Sequence, residues 1–165
     1  MMSSVLYLLF TLAFVTTFGD VRLTVQDEFI LCRSCGSDLA SSESIISKTS
    51  SRSWYSFNDT LYSKEVLVQV FSTSVFFHYP VISFSLSTCV PTGEWEESTS
   101  WFPGYRWKPC VCPDCGAYVG FVFEPINLSL EKPSKTFYGL IMTTLISESC
   151  KYYNFYSPQL FDCVP

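Results

Sequence analysis

A chain of 165 residues is long enough to form one globular domain with its own hydrophobic core. Hydrophobic residues make up 48% of it and aromatic residues 18%, whereas charged residues supply 15%, a composition too apolar for an intrinsically disordered protein. The net charge of −5 sets aside a nucleic-acid partner, because binding to phosphates requires clustered basic side chains.

The N-terminus has the pattern of a secretory signal peptide over residues 1–19. An apolar run at 5–15 is followed by Thr17 and Gly19, small residues at the spacing of a cleavage site. The run of roughly 11 residues is shorter than the roughly 20 that cross a bilayer, which disfavours a membrane anchor. We therefore expect a mature chain that starts near Asp20, is secreted to the extracellular space and has no membrane span.

Two segments of the form C-x-x-C-G, at 32–36 and 112–116, are typical of metal-binding knuckles, in which the glycine lets the turn close around both sulfurs. Local disulfides are the alternative, because an exported chain normally oxidises its cysteines. Four thiolates complete one tetrahedral site and leave no open position for a substrate. The pattern therefore favours one structural Zn²⁺, bound by Cys32, Cys35, Cys112 and Cys115.

The other four cysteines are an even set, which suits two disulfides in a secreted protein. Of the three possible pairings we favour Cys89–Cys110, which brackets an aromatic stretch, and Cys150–Cys163, which closes a C-terminal loop. Cys110 is the ambiguous member, because it stands two positions before a knuckle cysteine and could replace a neighbour as metal ligand. Residues 148–165 are then a disulfide-closed C-terminal extension.

The middle of the chain has the composition of antiparallel β-strands. Residues 61–71 and 75–86 are rich in β-branched and aromatic side chains, with turn residues between them. Pro80 predicts an edge position or a bulge for the second strand, because proline has no N–H to donate. The only plausible turn of helix lies within 132–145, and the Ser-rich segment 41–53 is predicted to be a surface loop. The sequence thus predicts an all-β fold.

A motif of unusual specificity, S-W-F-P-G-Y at 100–105, is followed by Trp107, by the second knuckle and by G-F-V-F at 120–123. With the first knuckle and the segment K-T-F-Y-G-L at 135–140, this arrangement resembles the CULT domain family, the thalidomide-binding domains of the cereblon type. That family also occurs in secreted animal proteins and as single-domain bacterial proteins. The resemblance covers roughly residues 28–145.

The resemblance implies a β-tent, in which two antiparallel sheets meet at a steep angle and one structural zinc pins them near their junction. It places the CULT-like domain at residues 20–147. In the family, a cage of three tryptophans on one sheet receives a cyclic imide. The ligand-binding positions carry over, one by one, to Asn58, Thr99, Ser100, Trp101, Trp107, Phe121 and Phe123.

These positions imply different roles. Trp101, Trp107 and Phe121 match the cage walls, Phe123 matches a supporting aromatic, and the backbone at 99–100 matches the segment that hydrogen-bonds the imide. Phe121 stands where the family usually has Trp. A phenyl ring has less area than an indole and no N–H, so we expect a weaker but intact, more open pocket.

Asn58 and Asn127 also begin N-glycosylation sequons. A glycan at Asn58 would lie at the mouth of the pocket. Either the alignment of Asn58 with the family's pocket asparagine is wrong, or the site is not glycosylated, or its loop points outward.

The functional hypothesis is a secreted, zinc-containing, monomeric binding module for a flat neutral cyclic imide or uracil-like ring. The alternative is an extracellular interaction protein whose aromatic cage binds a peptide or a quaternary ammonium by cation–π contact, for which Asp59 is the one nearby carboxylate. We do not expect this protein to be an enzyme. The single histidine, His78, lies in an apolar strand and is structural or at the surface, and the acidic segment 94–97 reads as a solvated loop.

Overall fold

The computed structural model describes residues 27–73, 77–127 and 135–150. These ranges contain eleven β-strands and two short 3-10 helices. They are β1 (Phe29–Cys32), β2 (Asp38–Ser41), η1 (Ser42–Ser44), β3 (Ile45–Ile46), β4 (Tyr55–Leu61), β5 (Lys64–Ser72), β6 (His78–Phe84), β7 (Val90–Pro91), β8 (Tyr105–Val111), β9 (Tyr118–Pro125), β10 (Phe137–Ile141), η2 (Met142–Thr144) and β11 (Leu145–Ser147). The predicted signal peptide, 1–19, lies outside the described residues. None of the helices in these ranges is long and apolar enough to cross a membrane.

The strands form two antiparallel sheets, as the β-tent expectation requires. The small sheet has the order β11-β1-β2, and the large one has the order β4-β5-β6-β10-β9-β8-β7, with β3 paired to β6. Every pairing between named strands in the described ranges is antiparallel. The expected all-β class is confirmed.

The predicted strand at 61–71 is correct from Lys64 onwards and wrong at its start. Tyr62 and Ser63 have positive φ angles of 52° and 59° and form the tight turn between β4 and β5. Sequence patterning missed β4 because its side chains are mostly exposed and polar, without apolar alternation.

Within the described part of 132–145, Phe137–Ile141 is strand β10, paired with both β6 and β9, and the expected turn of helix is limited to the 3-10 turn η2 at Met142–Thr144. Close packing explains why two glycines lie here. A Cβ atom on Gly120 of β9 would be 2.3 Å from the carbonyl oxygen of Gly139 in β10, and a Cβ on Gly139 would be 2.9 Å from the Phe123 ring. Only glycine lets these two strands approach so closely.

Pro80 lies in β6, which is an interior strand, so the expectation of an edge strand or bulge is wrong for the strand as a whole. It holds locally. β10 pairs with β6 only as far as Val81, whereas β5 continues past Pro80. Within the described residues, the proline therefore occupies a point where one side of the strand has no ladder partner, which its missing N–H tolerates.

The Ser-rich segment 41–53 is not a plain surface loop, because Ser42, Ser44 and Ser50 are buried. The Ser44 hydroxyl donates to the carbonyl of Ser41 at 2.7 Å, and the Ser50 hydroxyl donates to a carbonyl of the aromatic motif. Satisfied hydroxyls can be buried at little cost, which amino-acid composition alone does not reveal.

The buried side chains form two clusters. The first is mostly aliphatic and lies beside the cysteines. The second is mostly aromatic and has Trp101 and Trp107 packed against it. It is made of Phe71, Val81, Phe102, Tyr105, Phe121, Phe123, Phe137 and Ile141. A layer of packed aromatic side chains thus lies beneath the predicted ligand site.

The predicted disulfide between Cys89 and Cys110 is present, with a Cα–Cα distance of 5.7 Å. Cys110 is therefore not a metal ligand. The bond ties the start of β7 to the end of β8. Cys163 lies outside the described residues, so its pairing with Cys150, like the closed extension at 148–165, stays a prediction.

Candidate functional site

The two cysteine knuckles meet where the small and the large sheet approach each other. Cys32 ends β1 of the small sheet, and Cys112 directly follows β8 of the large one. The four Sγ atoms all lie within 4.8 Å of one another. Cys32 Sγ is 3.8 Å from Cys115 Sγ, and Cys35 Sγ is 3.6 Å from Cys112 Sγ. Zn–S bonds of about 2.3 Å imply S···S edges of about 3.8 Å in a regular tetrahedron, so the four thiols can hold one tetrahedral ion.

The two knuckles have nearly the same backbone. The N–H of Gly36 donates to the carbonyl of Cys32 at 2.8 Å, and the N–H of Gly116 donates to the carbonyl of Cys112 at 3.0 Å. Both glycines have positive φ, 78° and 70°, which L side chains adopt only with strain. The trailing glycine of each C-x-x-C-G segment is thus explained by turn geometry. None of these four cysteines forms a disulfide, so the alternative of local disulfides is not supported.

The electrostatics of the cluster favour a cation. The hydroxyl of Ser37, 3.0 Å from Cys35 Sγ, lowers the pKa of Cys35 to about 6. Burial raises the pKa of Cys32. Four thiols this close cannot all ionise without a compensating charge, because like charges oppose one another. A divalent ion removes that conflict and stabilises the thiolates.

An aromatic cleft of about 510 Å³ opens on the large sheet. Phe121 forms its base and meets both indoles edge to face, with ring centroids 4.6 Å from Trp101 and 5.1 Å from Trp107. Phe71 stacks nearly parallel to Trp101 at 4.6 Å. The cleft is lined by Arg52, Ser72, Thr73, Thr99, Ser100, Trp101, Trp107, Phe121 and Phe123.

Strand register explains why the sequence-distant aromatics converge. Trp107 of β8 is opposite Phe123 of β9, and Phe121 lies two residues along β9, on the same face of the sheet. Trp101 reaches this face from the loop that precedes β8. Phe123 is buried and stacks on Phe137 at 5.0 Å, so it supports the base from beneath.

No family model matches the chain. Over 135 residues it is 30% identical to the cereblon protein of Drosophila melanogaster, an alignment that covers 78% of this chain and 21% of that protein. The cereblon protein of Drosophila virilis is 29% identical over 140 residues, covering 78% and 19%. The chain contains a cereblon-like CULT domain. It spans about a fifth of the length of these curated relatives.

Asn58 is the one predicted ligand-binding residue that the CULT domain does not bring to the cleft. It lies in β4, exposed, and its side-chain nitrogen donates to Glu65 Oε1 at 2.8 Å. The segment that faces Trp101 is instead the end of β5, with Ser72 and Thr73. Asn58 and its sequon thus lie on the exposed β4–β5 hairpin, outside the described cleft lining.

Three cleft residues, Arg52, Ser72 and Thr73, were missed by sequence reasoning. Arg52 belongs to the segment taken for a surface loop, and no local pattern marks it. Ser72 Oγ lies 2.7 Å from Nδ1 of His78, whose ring stacks on Trp54 at 4.9 Å. His78 is exposed, as expected. The pairing of β5 with β6 places Ser72 beside the indoles, and a hydrogen bond to the Ser100 carbonyl holds Arg52 there.

Side chains of Ser50 and Arg52 hydrogen-bond the backbone of the aromatic motif at 100–105. The Ser100 carbonyl accepts a hydrogen bond from Arg52 Nη1 at 2.8 Å, and the Trp101 carbonyl accepts one from Ser50 Oγ at 2.5 Å. The N–H of Trp101 and the carbonyl of Thr99 have no hydrogen-bond partner in the described ranges. One donor and one acceptor are thereby left on a fixed piece of backbone.

Two buried polar atoms in the cleft lining also lack a partner among the described residues, Nε1 of Trp107 and Oγ1 of Thr73. A buried polar group without a hydrogen bond costs about 1–3 kcal/mol, so a water molecule or a ligand that pairs with these two atoms would be stabilised. Among the residues that the structure describes, no Asp or Glu lines the cleft. Asp59, the carboxylate considered for a cation cage, accepts from the N–H of Thr60 instead.

Proposed function

We propose that this chain is a secreted small-molecule-binding domain whose aromatic cleft takes a flat, neutral cyclic imide or a uracil-like ring. The observation that carries the proposal is the convergence of Trp101, Trp107 and Phe121 beside an unpaired N–H and carbonyl of the 99–101 backbone. Six of the seven sequence-predicted ligand positions line this one cleft.

The chemistry matches an imide edge. An imide N–H flanked by carbonyls presents a donor next to an acceptor. The carbonyl of Thr99 would accept from the imide N–H, while the N–H of Trp101 would donate to an imide oxygen. The indoles bury the ring faces, and apolar walls with a few fixed polar groups are the usual composition of small-molecule sites.

We also propose that the metal at the four cysteines is Zn²⁺. Four thiolates in tetrahedral array are a typical structural zinc site, and the S···S distances match Zn–S bonds. When bound, the ion links the two sheets and supplies folding energy. With all four positions taken by protein it would activate no water, and the described part of the cleft lining contains no His, Asp or Glu. Both points favour binding over catalysis.

The alternative, a cage for a quaternary ammonium, is disfavoured by charge. Such cages gain from nearby carboxylates, whereas the charged side chain in this lining is the guanidinium of Arg52. A cation in the cleft would meet a like charge.

Secretion and monomeric state belong to the same proposal. Asn58 and Asn127 are exposed, so both sequons are accessible to a glycosyltransferase in the secretory pathway. Expression in a secretory host should yield protein that starts near Asp20 and carries N-glycans. Protein recovered from the culture medium that still began at Met1 would contradict the cleavage of a signal peptide.

Binding is tested by titrating the zinc-loaded protein with glutarimide, uracil and choline, read by tryptophan fluorescence. We expect saturable quenching with glutarimide and uracil at up to millimolar concentration and none with choline. If neither ring binds while circular dichroism and zinc content show an intact domain, the aromatics serve as core or as a protein interface. Saturable choline binding alone would favour the interaction-protein alternative.

A further inference from the structure

Arg52 brings a positive charge into a cleft of an otherwise acidic protein. Its guanidinium lines the cleft and donates through Nη1 to the Ser100 carbonyl at 2.8 Å. Its own backbone N–H donates to Ser50 Oγ, which in turn holds the Trp101 carbonyl. The side chain is therefore anchored beside the backbone edge that is proposed to bind the imide.

This charge is not neutralised within the described residues. Arg52 forms no ion pair there, whereas Arg106 pairs with Glu124 at 2.8 Å. The cleft lining, as far as the described residues form it, supplies hydroxyls, backbone groups and aromatic rings but no carboxylate. An arginine has five N–H donors, and one carbonyl satisfies only one of them. The remaining donors are available to an anionic oxygen.

Building on the proposed cleft function, we infer that the preferred ligand carries a carboxylate on its imide or uracil-like ring, and that Arg52 binds this carboxylate. The aromatic walls pack against the ring, the 99–101 backbone hydrogen-bonds the imide edge, and the guanidinium binds the carboxylate. Guanidinium–carboxylate hydrogen bonds are charge-assisted and can be bidentate, which makes Arg52 a specificity-determining residue.

Orphaned donors in the lining point in the same direction. Trp107 Nε1 can only donate, and it is buried without a partner. The N–H of Trp101, which has no partner among the described residues, and the guanidinium of Arg52 are two further donors in this lining. A ligand rich in carbonyl and carboxylate oxygens satisfies this set better than a hydrocarbon-substituted ring does.

The test uses matched ligands measured by isothermal titration calorimetry on the full zinc-loaded protein. Uracil-5-carboxylate and uracil-6-carboxylate are each compared with the carboxamide of the same position, which has nearly the same size and no charge. For the wild-type protein at low salt, at least one carboxylate should bind roughly fivefold tighter than its carboxamide. The preference should shrink as salt is raised, because Arg52 is exposed to solvent.

Variants assign the preference to Arg52. In Arg52→Gln the ratio of carboxamide to carboxylate dissociation constants should fall to about one, and Arg52→Lys should give an intermediate ratio because a lysine keeps the charge without the planar fork. Arg106→Gln is the matched control. Its guanidinium is paired outside the cleft lining, so it should retain the wild-type ratio.

The outcomes separate this inference from the cleft proposal. If uracil binds but neither carboxylate isomer is preferred, or if the preference survives in Arg52→Gln, the role of Arg52 is wrong while the cleft function stands. If uracil, glutarimide and both carboxylates all fail to bind, the cleft function fails and this inference with it.

Discussion

The cysteine cluster and the aromatic cleft are both assembled from distant parts of the chain, yet they differ in whether their polar groups have partners. In the cluster, the thiols converge on one point and the knuckle backbones are closed by internal hydrogen bonds. In the cleft, Trp107 Nε1 and Thr73 Oγ1 have no partner among the described residues. The cluster is thus closed around one point that suits an ion, whereas the cleft keeps polar groups that a ligand can bind.

The largest expected effect comes from breaking the closed site. Cys35→Ser removes one thiolate, and because structural zinc supplies about 10–16 kcal/mol in small zinc-binding peptides, the domain should lose its metal and unfold at room temperature. Zinc content by elemental analysis and folding by circular dichroism check this. Ser34→Ala, in the same turn, should keep both. A folded, zinc-free Cys35→Ser protein would show that the cluster is not structural.

The disulfide gives the next effect. Cys89 and Cys110 are 21 residues apart in sequence, and opening a loop of this size should lower the free energy of unfolding by about 3 kcal/mol. We expect Cys89→Ser/Cys110→Ser to unfold at lower denaturant concentration while keeping its zinc, since Cys110 is not a ligand. Loss of zinc in this double variant would mean that the metal site depends on the bond.

Trp107→Ala should separate ligand binding from folding. Removing one wall of the cleft should weaken imide or uracil binding by about 2 kcal/mol, roughly thirtyfold. Zinc content should not change, because Trp107 does not contact the cysteines. Trp54→Ala is a matched control, since Trp54 is 71% exposed and does not line the cleft. Equal losses of affinity in both variants would contradict the cage.

The smallest effect is a gain. Phe121→Trp restores the family's third indole and should tighten binding by a few-fold, because the larger ring adds apolar contact with the ligand. Calorimetry with uracil measures the change, and thermal unfolding measures its cost. Phe121 is 9% exposed and touches Trp101 and Trp107, so a weaker, less stable variant would show that the base has no room for an indole.

Features that depend on local chemistry could be predicted from the order of the amino acids. The knuckles at 32–36 and 112–116 were recognisable because a C-x-x-C turn needs a glycine with positive φ and four thiols suit one ion. The 100–105 motif and its distance to the second knuckle identified the domain type and, with it, Trp101 and Trp107. These signals are short in sequence and therefore survive without knowledge of strand order.

Which distant segments meet could be learned only from the three-dimensional fold. Ser72 and Thr73 line the cleft because β5 pairs with β6. Arg52 lines it as well, whereas Asn58 lies on the β4–β5 hairpin outside the lining. The segment at 137–141 is a strand because β6 and β9 both pair with it. Strand pairing depends on contacts between residues far apart in sequence, and such long-range contacts override local propensity.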